Sequence, residues 1–261
     1  MASVELSKSL IEHFKIIEYR PAKHGGQKTV FIVKIDEVWY ALKIINFVDE
    51  RFEREVKICQ EFNANKGIPD IIRVEKFETE TIILEEYIDG NDLSELIKLY
   101  KGDANKVLDL VFKVGNILKP VWEANYVHRD IKPQNIRIKT NGEPIVLDFG
   151  IARALDEKSI TATGGQPLSW LFASPEQYEG NKALISYRTD FFCLGIIAYY
   201  LYTNELPYGK DRYEIQTAFQ NANHKIVTNN EILNVFCKAV LRINPSERPR
   251  KIETFLKLLE L

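Results

Sequence analysis

The reading turns on His128-Arg129-Asp130-Ile131-Lys132-Pro133-Gln134-Asn135, followed thirteen residues after Asn135 by Asp148-Phe149-Gly150. Between the two, Ile136–Ile138, the turn Asn141-Gly142 and the apolar run Ile145–Leu147 predict a short hairpin that returns Asp148 to the side of Asn135. Two oxygen ligands and a further carboxylate then converge. Magnesium bound to phosphates takes one or two carboxylates, an amide oxygen and water, and Asp148 and Asn135 can supply the first two kinds. Asp130 is placed to accept a hydroxyl proton, and the ammonium of Lys132, two residues on, to neutralise a moving phosphoryl group.

This stretch resembles the catalytic loop of the eukaryotic-type protein kinases, and the resemblance covers the whole chain. It implies Asp130 as catalytic base, Lys132 as phosphate contact, and Asn135 and Asp148 as metal ligands. A lysine two places after the aspartate is the serine/threonine pattern rather than the tyrosine one. Downstream, Ala173-Ser174-Pro175-Glu176 matches the close of the activation segment, and Arg188-Thr189-Asp190 the start of the central helix of the large lobe. The resemblance implies that Glu176 pairs with Arg248, and that Asp190 braces the catalytic loop, although Asp190 also reads as a simple helix N-cap. Ser169 takes the position where the family sets a hydroxyl against the catalytic aspartate and lysine. Asp148-Phe149-Gly150-Ile151-Ala152-Arg153 and Ser174-Pro175-Glu176-Gln177 look most like the bacterial branch.

Working back toward the amino terminus, Phe14–Tyr19, Thr29–Ile35 and Val38–Ile45 are rich in β-branched and aromatic residues, with a turn at Asp36-Glu37. They predict a small antiparallel sheet, extended by Arg73–Glu86 in two pieces around Glu78-Thr79-Glu80. Asp49–Phe62 changes period: Phe52, Val56, Cys59 and Phe62 form the apolar stripe of a helix. Glu55 falls inside that stripe, and a buried carboxylate needs a partner. Lys43, in Tyr40-Ala41-Leu42-Lys43-Ile44, is the candidate, matching the strand lysine that holds the nucleotide phosphates in the family. The resemblance further implies that Gly25, Val30, Ala41 and Lys43, the hinge residues Glu86, Tyr87 and Ile88, and Asn135 and Asp148 meet the nucleotide.

Toward the carboxyl terminus the character becomes helical. Tyr87–Asn91 contains Asp-Gly and reads as a connector. Lys106–Asn125 carries Val107, Leu110, Val111, Val114, Ile117, Leu118 and Val121 at helical spacing, with Pro120 placed to kink its last turn. Asp190–Tyr202 is apolar on every side, which predicts a central buried helix. The expected architecture is α+β: a bilobal protein-kinase fold with a small, mostly antiparallel N-lobe sheet and one helix over residues 1–87, and a larger helical C-lobe over residues 88–261. MgATP between the lobes, with Mn2+ as an alternative metal, would supply the phosphoryl group for a protein substrate bearing a serine or threonine. Ser159, Thr161 and Thr163 are the candidate autophosphorylation sites, with Arg129 placed to receive such a phosphate.

Two departures from the family pattern stand out. The phosphate-covering loop aligns on Lys23-His24-Gly25-Gly26-Gln27-Lys28-Thr29-Val30, so lysines replace the first and third glycines. These lysines either attract the triphosphate as point charges or are solvated hairpin charges. Glu85 takes a position at the back of the adenine pocket that the family fills with an apolar or hydroxyl-bearing residue. Either it points inward, near Lys43 and in competition with Glu55, or a register one residue off leaves it exposed. The departures keep a second class of function in view, a pseudokinase that binds nucleotide or scaffolds a partner. A small-molecule kinase fits less well, because of the Ser174-Pro175-Glu176 segment.

Composition agrees with this frame. The 261 residues are 45% apolar and 28% charged, with 35 basic and 37 acidic side chains for a net charge of −2. That balance gives no electrostatic reason for a nucleic-acid partner. No apolar run approaches the roughly 18 residues of a membrane span, and Met-Ala-Ser-Val-Glu-Leu has neither a secretion-signal pattern nor a myristoylation glycine. Cys59, Cys193 and Cys237 are too widely spaced for a zinc or redox pair and read as reduced core residues, so a cytoplasmic location is expected. Oligomeric state is not written in the sequence.

Overall fold

In the computed structural model, residues 5–24, 28–45, 56, 60–63, 65–148, 170–221 and 226–260 are described, and their β-branched runs pair into two antiparallel sheets. The chain divides into two units that part between Asp89 and Gly90.

In the first unit, β1 (Glu18–His24), β2 (Lys28–Ile35), β3 (Val38–Ile45), β4 (Ile71–Phe77) and β5 (Glu80–Glu86) form a sheet of order β1-β2-β3-β5-β4. The predicted turn at Asp36-Glu37 joins β2 to β3, with φ of 45° and 66° at its two residues. Positive φ at both positions matches the twist of the flanking strands, and Glu37 adopts it without glycine's freedom. Alternation sends Phe31, Val33, Leu42, Ile82 and Leu84 to one face, where they pack with Leu6, Leu10, Phe14 and Ile16.

Leu10 and Phe14 come from a helix whose end, Phe14, the sequence predicts to open a strand, and Leu6 and Ile16 flank it. Helix α1 spans Lys8–Phe14, capped by Ser7, whose Oγ accepts from the Leu10 N–H at 3.2 Å, and it ends at Lys15 with φ 53°. Leu6, Leu10 and Phe14 recur every fourth residue, which lines them along one face. The β-rich composition of Phe14–Tyr19 hides that period. Seven residues are too few for a helix to stand alone in water. Burial of Leu10 and Phe14, worth roughly 1.5–3 kcal/mol each, holds it on the sheet. Of the predicted helix Asp49–Phe62, Val56 and Gln60–Glu61 are helical and Phe62 lies in the turn that follows; the other positions, Glu55 and Cys59 among them, lie outside the described residues.

The second unit opens at Gly90, with φ 142°, where an added Cβ would lie 2.2 Å from the Ile138 carbonyl oxygen. That close approach seats β6 (Asn91–Asp92) on β7 (Ile136–Ile138), which pairs with β8 (Pro144–Val146). Helix α2 (Ala104–Glu123) carries through Pro120, which lies in its last turn, and buries the predicted Val107, Leu110, Val111, Val114, Leu118 and Val121. Among the described residues, helices α3 (Pro175–Tyr178), α4 (Tyr187–Thr203), α5 (Arg212–Asn221), α6 (Glu231–Val240) and α7 (Ile252–Lys257) follow. α4 is buried from Thr189 to Ala198. Trp122 of α2 meets Phe191 of α4 edge-on at 5.0 Å, and Phe191 stacks on Phe255 of α7 at 4.0 Å. At Gly195 a Cβ would come within 2.5 Å of Val240, so α4 and α6 pack at a distance that only glycine permits.

Candidate active site

The hairpin β7–β8 sets the two motifs side by side. Ile136 is opposite Val146, and the Leu147 N–H donates to the Asn135 carbonyl at 2.8 Å, so Asp148 follows directly on a residue bonded to Asn135. The turn chemistry at Asn141-Gly142, with φ 85° at Gly142, makes the return possible.

Around Asp130 two of the expected side chains come together. Lys132 Nζ lies 3.0 Å from Asp130 Oδ2, and Asn135 Nδ2 donates to the same oxygen at 2.9 Å and to the Asp130 carbonyl at 2.8 Å. With the amide protons of Asn135 aimed at Asp130, its Oδ1 is the atom left to meet a cation. An amide oxygen, with the carboxylate of Asp148 returned by the hairpin to the neighbouring strand end, supplies the kinds of hard-oxygen donor that magnesium takes alongside phosphate oxygens. The residues present therefore fit such an ion.

The backbone under this cluster is tied to the core. Asp190 is fully buried and accepts from Trp122 Nε1 at 2.9 Å, from the His128 N–H at 2.8 Å and from the Arg129 N–H at 3.0 Å. It braces the loop; the N-cap of α4 is Ser186, in a capping box with Thr189. Burial pushes the Asp190 carboxyl upward from its ordinary value, against the pull of those donors. His128 is itself buried. Its Nε2 lies 3.0 Å from the Leu147 carbonyl, and its Nδ1 accepts from the Asp130 N–H at 3.2 Å. One neutral tautomer, protonated at Nε2, satisfies both bonds.

Glu176 and Arg248 form the implied pair as a fork: Nη1 to Oε1 at 2.7 Å and Nη2 to Oε2 at 2.8 Å, both residues 1% exposed. Thr189 Oγ1 donates to Glu176 Oε1 at 2.8 Å, and Arg248 also donates to the carbonyls of Arg242, Ile243 and Arg188.

In the first unit, Val30 is opposite Lys43, Lys43 opposite Ile83, and Ala41 opposite Glu85, so Val30, Ala41, Lys43 and Glu85 share a sheet face. Of the two readings of Glu85, the inward one holds: Glu85 and Lys43 are buried, with Nζ and Oε2 2.5 Å apart. Glu86 is exposed and donates its N–H to the Asp70 carbonyl, Tyr87 Oη accepts from Arg20, and Ile88 is buried. Gly25, Glu55, Ser159, Thr161, Thr163 and Ser169 lie outside the described residues. Sequence reasoning passed over Trp122, His128 and Gln177 as parts of this site. The nearest signal for Gln177 was its place in Ser174-Pro175-Glu176-Gln177.

The sequence pattern of the family described as "Protein kinase domain" matches residues 22–258. Among curated proteins, the chain is 33% identical over 107 residues to a probable serine/threonine-protein kinase PknB of Lactococcus lactis, a match covering 41% of this chain and 17% of that protein. To a probable serine/threonine-protein kinase of Clostridium acetobutylicum it is 34% identical over 132 residues, 51% of this chain and 20% of the relative. With the serine/threonine-protein kinase PknA of Mycobacterium tuberculosis it shares 36% over 104 residues, 40% and 24% of the two chains. The matched stretch thus spans less than a quarter of each of these relatives. The family match over nearly the whole chain, together with relatives that carry these names, places the chain in the protein kinase domain family, on its bacterial serine/threonine side.

Proposed function

We propose that this kinase domain transfers the γ-phosphoryl group of ATP to serine or threonine hydroxyls of a protein, beginning with its own Ser159, Thr161 or Thr163. The observation that carries the reading is the convergence of Lys132 and Asn135 on Asp130 beside the end of the hairpin at Asp148. Asp130 orients the hydroxyl and takes its proton as the oxygen bonds to the γ-phosphorus and the bond to the bridging oxygen of ADP breaks. Lys132 offsets the charge that gathers on the transferring group. Lys43 supports the reading as a buried cation of the first unit, matching the family's phosphate-holding lysine, with Glu55 its proposed partner in the active state. Asn135 and Asp148 would hold magnesium, which when bound neutralises triphosphate charge.

The buried Lys43–Glu85 pair favours a second reading, a pseudokinase that binds nucleotide or scaffolds a partner. Incubating the parent and an Asp130→Asn variant with labelled ATP and magnesium separates the two. Phosphate on Ser159, Thr161 or Thr163 of the parent, absent from the variant, is expected. No incorporation in either, with nucleotide still bound, would move the reading to the pseudokinase. No described helix is long and apolar enough to cross a membrane.

A further inference from the structure

The peptide unit joining Arg129 to Asp130 is held at both ends. Its N–H donates to His128 Nδ1 at 3.2 Å, and its carbonyl oxygen accepts from Gln177 Nε2 at 2.6 Å. Arg129 carries φ 66°, a left-handed conformation that a non-glycine residue keeps only when its surroundings enforce it. Gln177 is buried, and its amide can face only one way. Oε1 accepts from the Ser174 N–H at 3.2 Å, from Ser174 Oγ at 3.3 Å and from Cys193 Sγ at 3.5 Å, which turns Nε2 toward the Arg129 carbonyl.

Gln177 also closes the capping box of α3, with Ser174 as N-cap. That task uses the oxygen alone, and glutamate performs it as well as glutamine. What glutamine adds is the N–H, and the N–H goes to the residue before Asp130. We propose that Gln177 is a positioning residue for Asp130: its amide fixes the Arg129–Asp130 peptide plane and ties the turn that closes the activation segment to the group that meets the substrate hydroxyl. The inference rests on the reading of Asp130 given above.

The substitution that isolates the donor is Gln177→Glu, which keeps size and cap but sets a carboxylate oxygen against the Arg129 carbonyl. Gln177→Met, with neither donor nor acceptor, serves as the second variant. Each is compared with the parent and with Asp130→Asn for kcat, KM for ATP, thermal unfolding and pH profile, using magnesium ATP and a serine-containing peptide. At about pH 8 both Gln177 variants are expected to lose between about tenfold and 100-fold in kcat, the scale of a misplaced catalytic group, with KM for ATP unchanged. For Gln177→Glu alone, the ratio of its kcat to the parent's rises as pH falls toward about 6, because a protonated carboxyl donates where the amide did. The titratable groups around that position are Cys193, which donates to Gln177 Oε1, His128 and Asp130 at the far end of the same peptide unit, Asp190 on the Arg129 N–H, and the neighbouring Glu176 tied to Arg248, all of them present in the parent as well.

A folded variant of either kind with the parent's kcat overturns the proposal. So does a lower melting temperature with a flat pH ratio, which would make Gln177 a structural residue only. A parent without transfer, or Asp130→Asn as fast as the parent, removes the reading of Asp130 and this inference with it.

Discussion

Two buried ion pairs, one in each unit, solve the same problem differently. Arg248 meets Glu176 with a planar fork, donates to three carbonyl oxygens besides, and lies over the ring of Phe192 at 4.5 Å. Lys43 meets Glu85 diagonally across β3 and β5, through an ammonium on a flexible four-carbon stem. The first pair is a fixed joint between α3, α4 and the segment before α7. The second leaves its cation on a flexible stem, able to exchange one anion for another, as the phosphate-holding role proposed for Lys43 would require.

The largest effect that can break this contrast is expected at Arg248. Arg248→Ala leaves Glu176 charged and buried, and should lower the unfolding free energy by about 3–5 kcal/mol in denaturant titrations. A loss below about 1 kcal/mol would put both pairs in one class. Glu85→Leu is expected to cost less, about 1–2 kcal/mol, because an ammonium can reach water along its stem or release its proton. Its sharper signature is in nucleotide binding. Removing a carboxylate that competes with the triphosphate for Lys43 should lower KM for ATP by roughly fivefold, about 1 kcal/mol. A higher KM would mean instead that Glu85 aims Lys43.

The effect that is smallest at neutral pH, and grows only in alkali, concerns the interior near the fixed joint. Burial pushes the Cys237 thiol up to about 12, from an ordinary 9.0, and raises the Tyr208 hydroxyl as well. Between those two pH values the unfolded chain has released the Cys237 proton and the folded chain has not. Stability therefore falls as pH rises through that window, by at most about 1.4 kcal/mol per pH unit from this group. Cys237→Ala should flatten the alkaline limb of stability against pH; an unchanged slope would show that Cys237 ionises freely in the fold.

Much of the chemistry was legible because it is local. Asp130, Lys132 and Asn135 sit within six residues, and a hairpin with a glycine turn brings Asp148 back, so spacing alone implies their meeting. α4 was equally plain, since a helix apolar on every side has only the core to occupy. What stayed hidden depends on partners distant in sequence. The fold of Lys8–Phe14 follows from Phe31, Leu42 and Leu84 beneath it, and strand composition at its end pointed the other way. The direction of Glu85 depended on register, which a one-residue slip inverts. Gln177 looked like the last letter of a motif, and its bond to Arg129 crosses 48 positions.

The brace at Asp190 also bears on hydrogen exchange. The His128 and Arg129 amides end on a carboxylate carried by the buried helix α4, alongside Trp122 in the aromatic stack with Phe191 and Phe255. Exchange of the buried His128 proton is expected to follow opening of that core rather than local fraying, with the Arg129 proton slowed by the same carboxylate. On that expectation the loop holding Asp130 opens with the core of its unit rather than as a surface turn.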